Sequence, residues 1–312
     1  MKAPHLEMWN VGLILGSALA RARPGPTIEG DFRIVERRRH GAHRSLGALG
    51  SFRYNPRFQV SRMPTVKSSN VSRQRAAERL TIALDVAQAK AALRLAEELR
   101  DRAGLFKVGL ELFSAAGPAL VRELVELGVG VFLDLKFHDI PNTVAAAVKA
   151  AAELGVGMMT VHASGGSKML KAAVEAAAQS PAKPIILAVT VLTSVSDSDL
   201  QELGVAGNVT SQVLRLGALA RAAGCGGLVA SAQEAQELRR ELGEGFAIVT
   251  PGIRPAGSAA GDQARVVTPS DAIAAGATYL VVGRPILDAP DPAKAAEQMV
   301  QDLNSYKIVT TV

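Results

Sequence analysis

Val131-Phe132-Leu133-Asp134-Leu135-Lys136-Phe137-His138-Asp139-Ile140-Pro141-Asn142-Thr143 is the stretch on which the reading of the whole chain turns. It opens as an apolar β-type run and ends in a Pro-Asn-Thr turn that leads into an Ala-rich helical segment. Side chains alternate faces along a strand, so Asp134 and Lys136 are expected on one face. Two opposite charges on an otherwise apolar strand need compensation, because a buried ion costs several kcal/mol unless it is closely paired. Asp139 adds a second carboxylate just past the expected strand end. Carboxylates on either side of a lysine favour its ammonium form. The result is a fixed proton donor beside fixed negative charge. Taken alone, an Asp-x-Lys pair fits a structural ion pair equally well. The surrounding chain decides between the two.

On both sides of this stretch the chain is regular. Apolar runs over residues 80–85, 105–109, 130–136, 158–162, 185–190, 227–230, 246–250 and 279–282 read as strands. Between and after them, residues 87–100, 118–127, 142–154, 209–222, 232–242, 268–275 and 292–303, and a segment from about 167, read as helices. Apolar strands alternating with amphipathic helices imply a parallel sheet. Eight such units in about 230 residues fit a single (β/α)8 TIM barrel, an α/β fold, over residues 76–312. That fold carries its active site at the C-terminal ends of the strands. Asp85, Lys107, Asp134, Lys136 and Thr193 all fall at or just past such ends. Each alone could be a solvated strand end or a helix cap, and Thr143 alone an ordinary early-helix residue. Five converging on one mouth are harder to dismiss.

The last two loops have the chemistry of a phosphate site. Pro251-Gly252-Ile253-Arg254-Pro255 leads into a Gly/Ala/Ser-rich loop that holds Gln263, and strand eight ends in Gly283-Arg284-Pro285. Loops after strands seven and eight form the phosphate site in many such barrels. Arginine offers a bidentate fork, and glycine lets backbone amides approach an anion. A loop of about fifteen residues is long for this architecture and is expected to act as a mobile lid.

At this point the chain resembles the orotidine 5′-phosphate decarboxylase family, in its short bacterial form, over residues 80–303. The resemblance rests on Asp134 through Thr143, quoted above. Val161-His162-Ala163-Ser164-Gly165-Gly166, Leu192-Thr193-Ser194, Thr250 through Pro255 and Val282-Gly283-Arg284-Pro285 support it. It implies decarboxylation of orotidine 5′-phosphate to UMP and carbon dioxide, the last step of de novo UMP synthesis. Lys136 would protonate C6, Asp134 would sit beside the substrate carboxylate, and Lys107 would complete the charged array. Asp139, with Ile140 and Thr143, would reach into the neighbouring subunit's site, which makes a homodimer obligatory. Asp85 and Lys107 would bind the ribose hydroxyls and Thr193 the pyrimidine edge. Arg254, Gln263, Gly283 and Arg284 would hold the phosphate. The resemblance implies no cofactor and no metal. His138 and His162 are the histidines of the barrel, and no carboxylate stands at ligand spacing to either. His162 is expected to be a strand-end hydrogen-bonding residue. Two alternatives stand beside this reading. One is a magnesium-dependent sugar-phosphate decarboxylase or hexulose-phosphate synthase of the same barrel suite. The other is a non-enzymatic protein that binds nucleic acid through its basic end.

That basic end is a separate compositional region. The 312 residues carry a net charge of +6, but residues 1–75 hold 14 Lys+Arg against 4 Asp+Glu. The body is therefore slightly acidic, and nucleic acid is not expected as its partner. Residues 1–75 include the single Trp and the run Arg37-Arg38-Arg39-His40, without sustained periodicity. The apolar patch at 11–20 resembles a secretion signal, but Glu7 and a single Lys precede it, so export is not expected. No run reaches the length of a membrane span. A cytoplasmic location is the expectation. The lone Cys225 cannot form an intramolecular disulfide and reads as a small core residue. Residues 1–75 are expected to be a disordered, solvated extension, with Met63 as a candidate translation start. Deleting residues 1–62 should leave turnover and Tm nearly unchanged. A large loss of either, by activity assay or thermal melt, would show that the segment belongs to the fold.

Overall fold

The computed structural model of the chain describes residues 73–255 and 267–305. The expectations for the extension up to residue 72, for Gln263 and for the lid it sits on lie outside the described residues. Eight strands alternate with helices: β1 Leu80–Ala83, β2 Leu105–Gly109, β3 Val131–Phe137, β4 Met158–His162, β5 Ile185–Val189, β6 Gly227–Val229, β7 Ala247–Thr250 and β8 Tyr279–Val282. They run in sequence order around a closed barrel, every neighbouring pair is parallel, and β1 closes on β8 with Leu80 opposite Leu280. The expected (β/α)8 barrel is the observed fold.

Period-two alternation sorts the strand residues into two layers. Ala83, Leu105, Phe132, Met158, Leu187, Ala247, Val249 and Val281 form the packed barrel interior. Their alternates, among them Ile82, Val108, Leu133, Val161, Ile248 and Leu280, face the surrounding helices. Those helices are α2 Ala89–Leu99, α3 Leu110–Glu126, α4 Pro141–Ala152, α5 Gly166–Ala178, α7 Val209–Ala222, α8 Ala232–Leu242, α9 Pro269–Ala274 and α11 Pro292–Ser305. Leu99, Leu124, Val148, Leu170, Leu238 and Val300 pack inward from this ring, each almost fully buried. Among the described residues no helix is long and apolar enough to cross a membrane. Burial pushes the Cys225 thiol up to about 12, consistent with an inert core position.

Four helical pieces were not anticipated. α1, Arg73–Arg79, runs straight into β1 and crosses the expected boundary at residue 75. α3 begins at Leu110, eight residues before the expected start at Pro118, and breaks at Gly117, whose φ of 67° only glycine adopts readily. α6, Asp197–Glu202, and α10, Arg284–Leu287, are short helices behind the mouth residues of β5 and β8.

One side chain staples the N-terminal end of the barrel. From α8, Arg239 donates to Gly276 O (Nη2, 2.7 Å), Gly243 O (Nη1, 2.7 Å), Phe246 O (Nη1, 2.9 Å) and Thr278 Oγ1 (Nη2, 3.0 Å). It thereby joins the end of α8, the entry to β7 and the turn into β8. Gly276 has φ 105°, and a Cβ there would stand 2.9 Å from the Arg239 Cβ, so both backbone angle and space require glycine. Arg239→Met would leave three carbonyls short of their donor. It should lower stability by about 2–4 kcal/mol in a denaturant titration. Turnover of the folded fraction should stay unchanged, because the staple lies at the end opposite the strand C-termini. Arg239→Lys should recover little of the loss, since a single ammonium cannot span the fork's partners.

Candidate active site

The C-terminal ends of the strands surround a cavity of about 280 Å³, near the lower end of the range for small-molecule sites. Its floor is the top of the apolar interior: Ala83, Phe132, Val189, Val229, Val249 and Val281. Asp85, Lys107, Asp134 and Lys136 line one side. Thr193, Arg254, Gly283 and Arg284 belong to the same lining, so the expected strand-end residues meet in one place.

The charges form a chain. Lys136 Nζ donates to Asp134 Oδ2 at 2.8 Å, and Lys107 Nζ lies 3.9 Å from the same oxygen. Lys107 Nζ also donates to Asp85 Oδ1 at 3.1 Å. Exposure falls from 53% at the Asp85 side chain to 13% at Asp134 and 12% at Lys107. Asp134 is therefore largely desolvated and sustained by two ammonium groups. Gly109, at the end of β2, makes room for this: a Cβ there would sit 3.0 Å from Lys107 Nζ.

Asp134 and Lys136 reach the same cavity, but not through the regular pleat expected of them. β3 and β4 pair in register as far as Leu133–Met159, then again only at Phe137–Val161. Four steps along β3 thus match two along β4. Within this bulge Lys136 has φ 51°, a conformation that costs a non-glycine residue about 1–3 kcal/mol. Bulges of this kind re-aim side chains beside functional sites. The Lys136 N–H donates to Thr160 Oγ1 at 2.9 Å, and that hydroxyl donates to Asp134 Oδ1 at 2.9 Å. Thr160 is fully buried, and sequence reasoning did not single it out. The available signal was a polar residue two positions after Met158, on the face that points into the barrel.

The structure does not place Asp139 beside Lys136 in the same chain. The strand ends at Phe137, and the chain swings outward toward Pro141 at the start of α4. Asp139 Oδ1 there accepts the Ile140 N–H at 2.6 Å. Asp139, Ile140 and Thr143 are all exposed and none lines the cavity. Among the described residues, the ion pair of Lys136 is with Asp134 alone.

His162, at the end of β4, lies against His138 with ring centroids 5.4 Å apart. Burial first, then His138 and Lys136, lower its pKa below the usual 6.5, with Asp134 acting in the opposite sense, so the ring is neutral at pH 7. Among the described residues no three His, Cys, Asp or Glu side chains gather as a metal-ligand cluster. Across the cavity Arg254 is 8% exposed, and its Nε finds no hydrogen-bond partner among the described residues. A buried guanidinium donor left open in this way suits an anionic ligand.

Comparison with known proteins points to one family. Residues 78–299 match the family model described as "Orotidine 5'-phosphate decarboxylase / HUMPS family". An orotidine 5′-phosphate decarboxylase of Sodalis glossinidius is 53% identical over 237 residues, covering 76% of this chain and 94% of that one. One from Moorella thermoacetica is 50% identical over 252 residues, covering 78% and 100%. Among solved structures, the orotidine 5′-phosphate decarboxylase of Lactobacillus acidophilus is 40% identical with a TM-score of 0.65, over 72% of this chain and 98% of that one. That of Pyrococcus horikoshii is 27% identical with a TM-score of 0.60 over similar shares. With a match from residue 78 to residue 299, and half its aligned positions identical over nearly the full length of these relatives, the chain belongs to the orotidine 5′-phosphate decarboxylase / HUMPS family of enzymes.

Proposed function

We propose that this enzyme decarboxylates orotidine 5′-phosphate to UMP, with Lys136 as the proton donor. The observation that carries the reading is the Asp85–Lys107–Asp134–Lys136 charge chain, desolvated at Lys107 and Asp134, in the same cavity as Arg254 and Arg284. Breaking the bond from C6 to the carboxylate releases carbon dioxide and leaves an electron pair on C6. No adjacent carbonyl delocalises that pair. A preorganised ammonium stabilises the developing charge and then transfers its proton, giving UMP and a neutral Lys136 amine that solvent reprotonates. Asp134 lies beside the leaving carboxylate and fixes the ammonium. Asp85 and Lys107 take the ribose hydroxyls and Thr193 the pyrimidine edge. Arg254, Gly283 and Arg284, with Gln263, take the phosphate. Binding energy from that remote end is used at the transition state.

A magnesium-dependent sugar-phosphate reaction fits the donor set less well. Asp134 Oδ2 already faces two ammonium groups, and Oδ1 is taken by the Thr160 hydroxyl. A divalent cation at that carboxylate would meet like charge on one side. The nucleic-acid reading rests on residues outside the described ones and gains no support here. The active unit in this reading is a cytoplasmic homodimer. Asp139, Ile140 and Thr143 are exposed beside the mouth, and Leu110, Ile140 and Leu192 are large apolar side chains left 55%, 67% and 42% exposed after β2, β3 and β5. A second copy seated there would bury them and receive Asp139.

Two predictions test this function. The wild type should consume orotidine 5′-phosphate, followed by its absorbance, equally well with and without a chelator. Arg284→Ala should lower kcat/KM by the equivalent of about 2–5 kcal/mol. It should hardly worsen turnover of orotidine lacking the phosphate. No loss of orotidine 5′-phosphate, with magnesium-dependent turnover of a sugar phosphate instead, would move the assignment to the sister reactions, and equal damage on both substrates would remove Arg284 from the phosphate site.

A separate prediction concerns the shared site. Lys136→Ala and Asp139→Ala should each be nearly inactive alone. Co-expressed, about half the dimers are mixed, each with one intact site, so roughly a quarter of wild-type activity should return. Mass spectrometry confirms that heterodimers formed. Heterodimers without recovered activity would place Asp139 in its own subunit's chemistry.

A further inference from the structure

We infer that Thr160 is a positioning residue for the Lys136 ammonium, acting through both the backbone of Lys136 and the side chain of Asp134. The inference rests on the decarboxylase reading and deepens it. The groups form a closed ring of hydrogen bonds. The Lys136 N–H donates to Thr160 Oγ1, Thr160 Oγ1 donates to Asp134 Oδ1, and Lys136 Nζ donates to Asp134 Oδ2, at 2.9, 2.9 and 2.8 Å.

The direction of each bond is forced. An amide N–H can only donate, so the hydroxyl oxygen accepts there, and its single hydrogen is left for the carboxylate. One hydroxyl thus satisfies a main-chain donor that the bulge has withdrawn from the regular ladder, and it orients the carboxylate that grips the ammonium. Thr160 is 0% exposed, so water cannot replace it in either bond. The left-handed backbone of Lys136 lies inside this ring. Its φ of 51° is unfavourable for lysine and needs a partner that holds it. Without the hydroxyl, the Lys136 backbone loses its hydrogen bond to β4, and Asp134 is free to rotate about its own side chain. Both changes move the ammonium relative to the carbon it must protonate. Neither touches the groups that hold phosphate or base, and Lys107 keeps its bond to Asp85.

Thr160→Val keeps the shape and removes the hydroxyl, whereas Thr160→Ser keeps the hydroxyl and removes the methyl. Misplacement of a reacting group by about 1 Å costs on the order of 100-fold in rate. Thr160→Val should therefore lower kcat for orotidine 5′-phosphate by about that factor. KM, and the dissociation constant of UMP measured by calorimetry, should stay within about threefold of wild type. Thr160→Ser should return kcat to within about threefold of wild type. If Thr160→Val does not fold, Thr160→Ala against Thr160→Ser makes the same comparison, because both lack the methyl and only one has the hydroxyl. A Thr160→Val enzyme with wild-type kcat would overturn the assignment. So would a Thr160→Ser enzyme as slow as Thr160→Ala, or a Thr160→Val defect confined to KM. Wild-type protein inert toward orotidine 5′-phosphate would instead overturn the decarboxylase reading, and this role with it.

Discussion

The Asp134 carboxylate is the constraint around which the mouth of the barrel is arranged. It keeps 13% of its side-chain surface exposed and sits above a floor of valine, alanine and phenylalanine. A carboxylate in such a place has to be compensated from several directions at once. Lys136 and Lys107 supply opposite charge at one oxygen, and Thr160 supplies a hydroxyl at the other. Each partner comes from a different part of the wall: β2, the bulged end of β3, and β4. The barrel therefore cannot shift one of these strands without leaving a buried charge uncompensated. What the sheet provides is a set of strand ends whose spacing makes that compensation possible.

Much of this was legible in the sequence because it follows from local pattern. Period-two apolar runs separated by amphipathic helices defined the barrel, and residue type at the run ends pointed to the cavity. What escaped did so for identifiable reasons. α6 is too short to show periodicity, although its Ser196–Asp199 capping box stands in the sequence. The first half of α3 was hidden by Gly117-Pro118, which reads as a break and is one, but inside a longer element. Thr160 was invisible because threonine is an ordinary strand former. Its role appears only once β4 is laid beside the bulge of β3. The left-handed Lys136 has no signature in residue type, since its cause lies in the neighbouring strand. Asp139 was open to two readings, as a second carboxylate against Lys136 of its own chain or as a group offered to a neighbouring subunit. The strand stops at Phe137 and the turn carries Asp139 out to the surface, away from Lys136 of the same chain.

The two ends of the barrel are built on different principles. At the N-terminal end, the fork of Arg239 ties three backbone carbonyls and the Thr278 hydroxyl together, with the Glu244 carboxylate 4.0 Å from its Nε. At the C-terminal end, a lysine stands in an unfavourable backbone conformation, a buried arginine has an open donor among the described residues, and large apolar groups remain uncovered. Stability concentrated at one end leaves the other free to hold geometry that is costly until a ligand or partner arrives.

Closure of the sheet has a consequence for how the chain is made. β1 pairs with β8, so Leu80 waits for Leu280, about 200 residues later. At roughly 5–20 residues per second, a ribosome needs about 10–40 s to cover that distance. Throughout that interval β1 has one unpaired edge, and the growing sheet is an open, curved ribbon with an incomplete core. Every strand added lengthens the ribbon, but only the last removes its edges. Chaperone demand for such a chain should therefore be set by the delay before β8 emerges, more than by the hydrophobicity of any single strand.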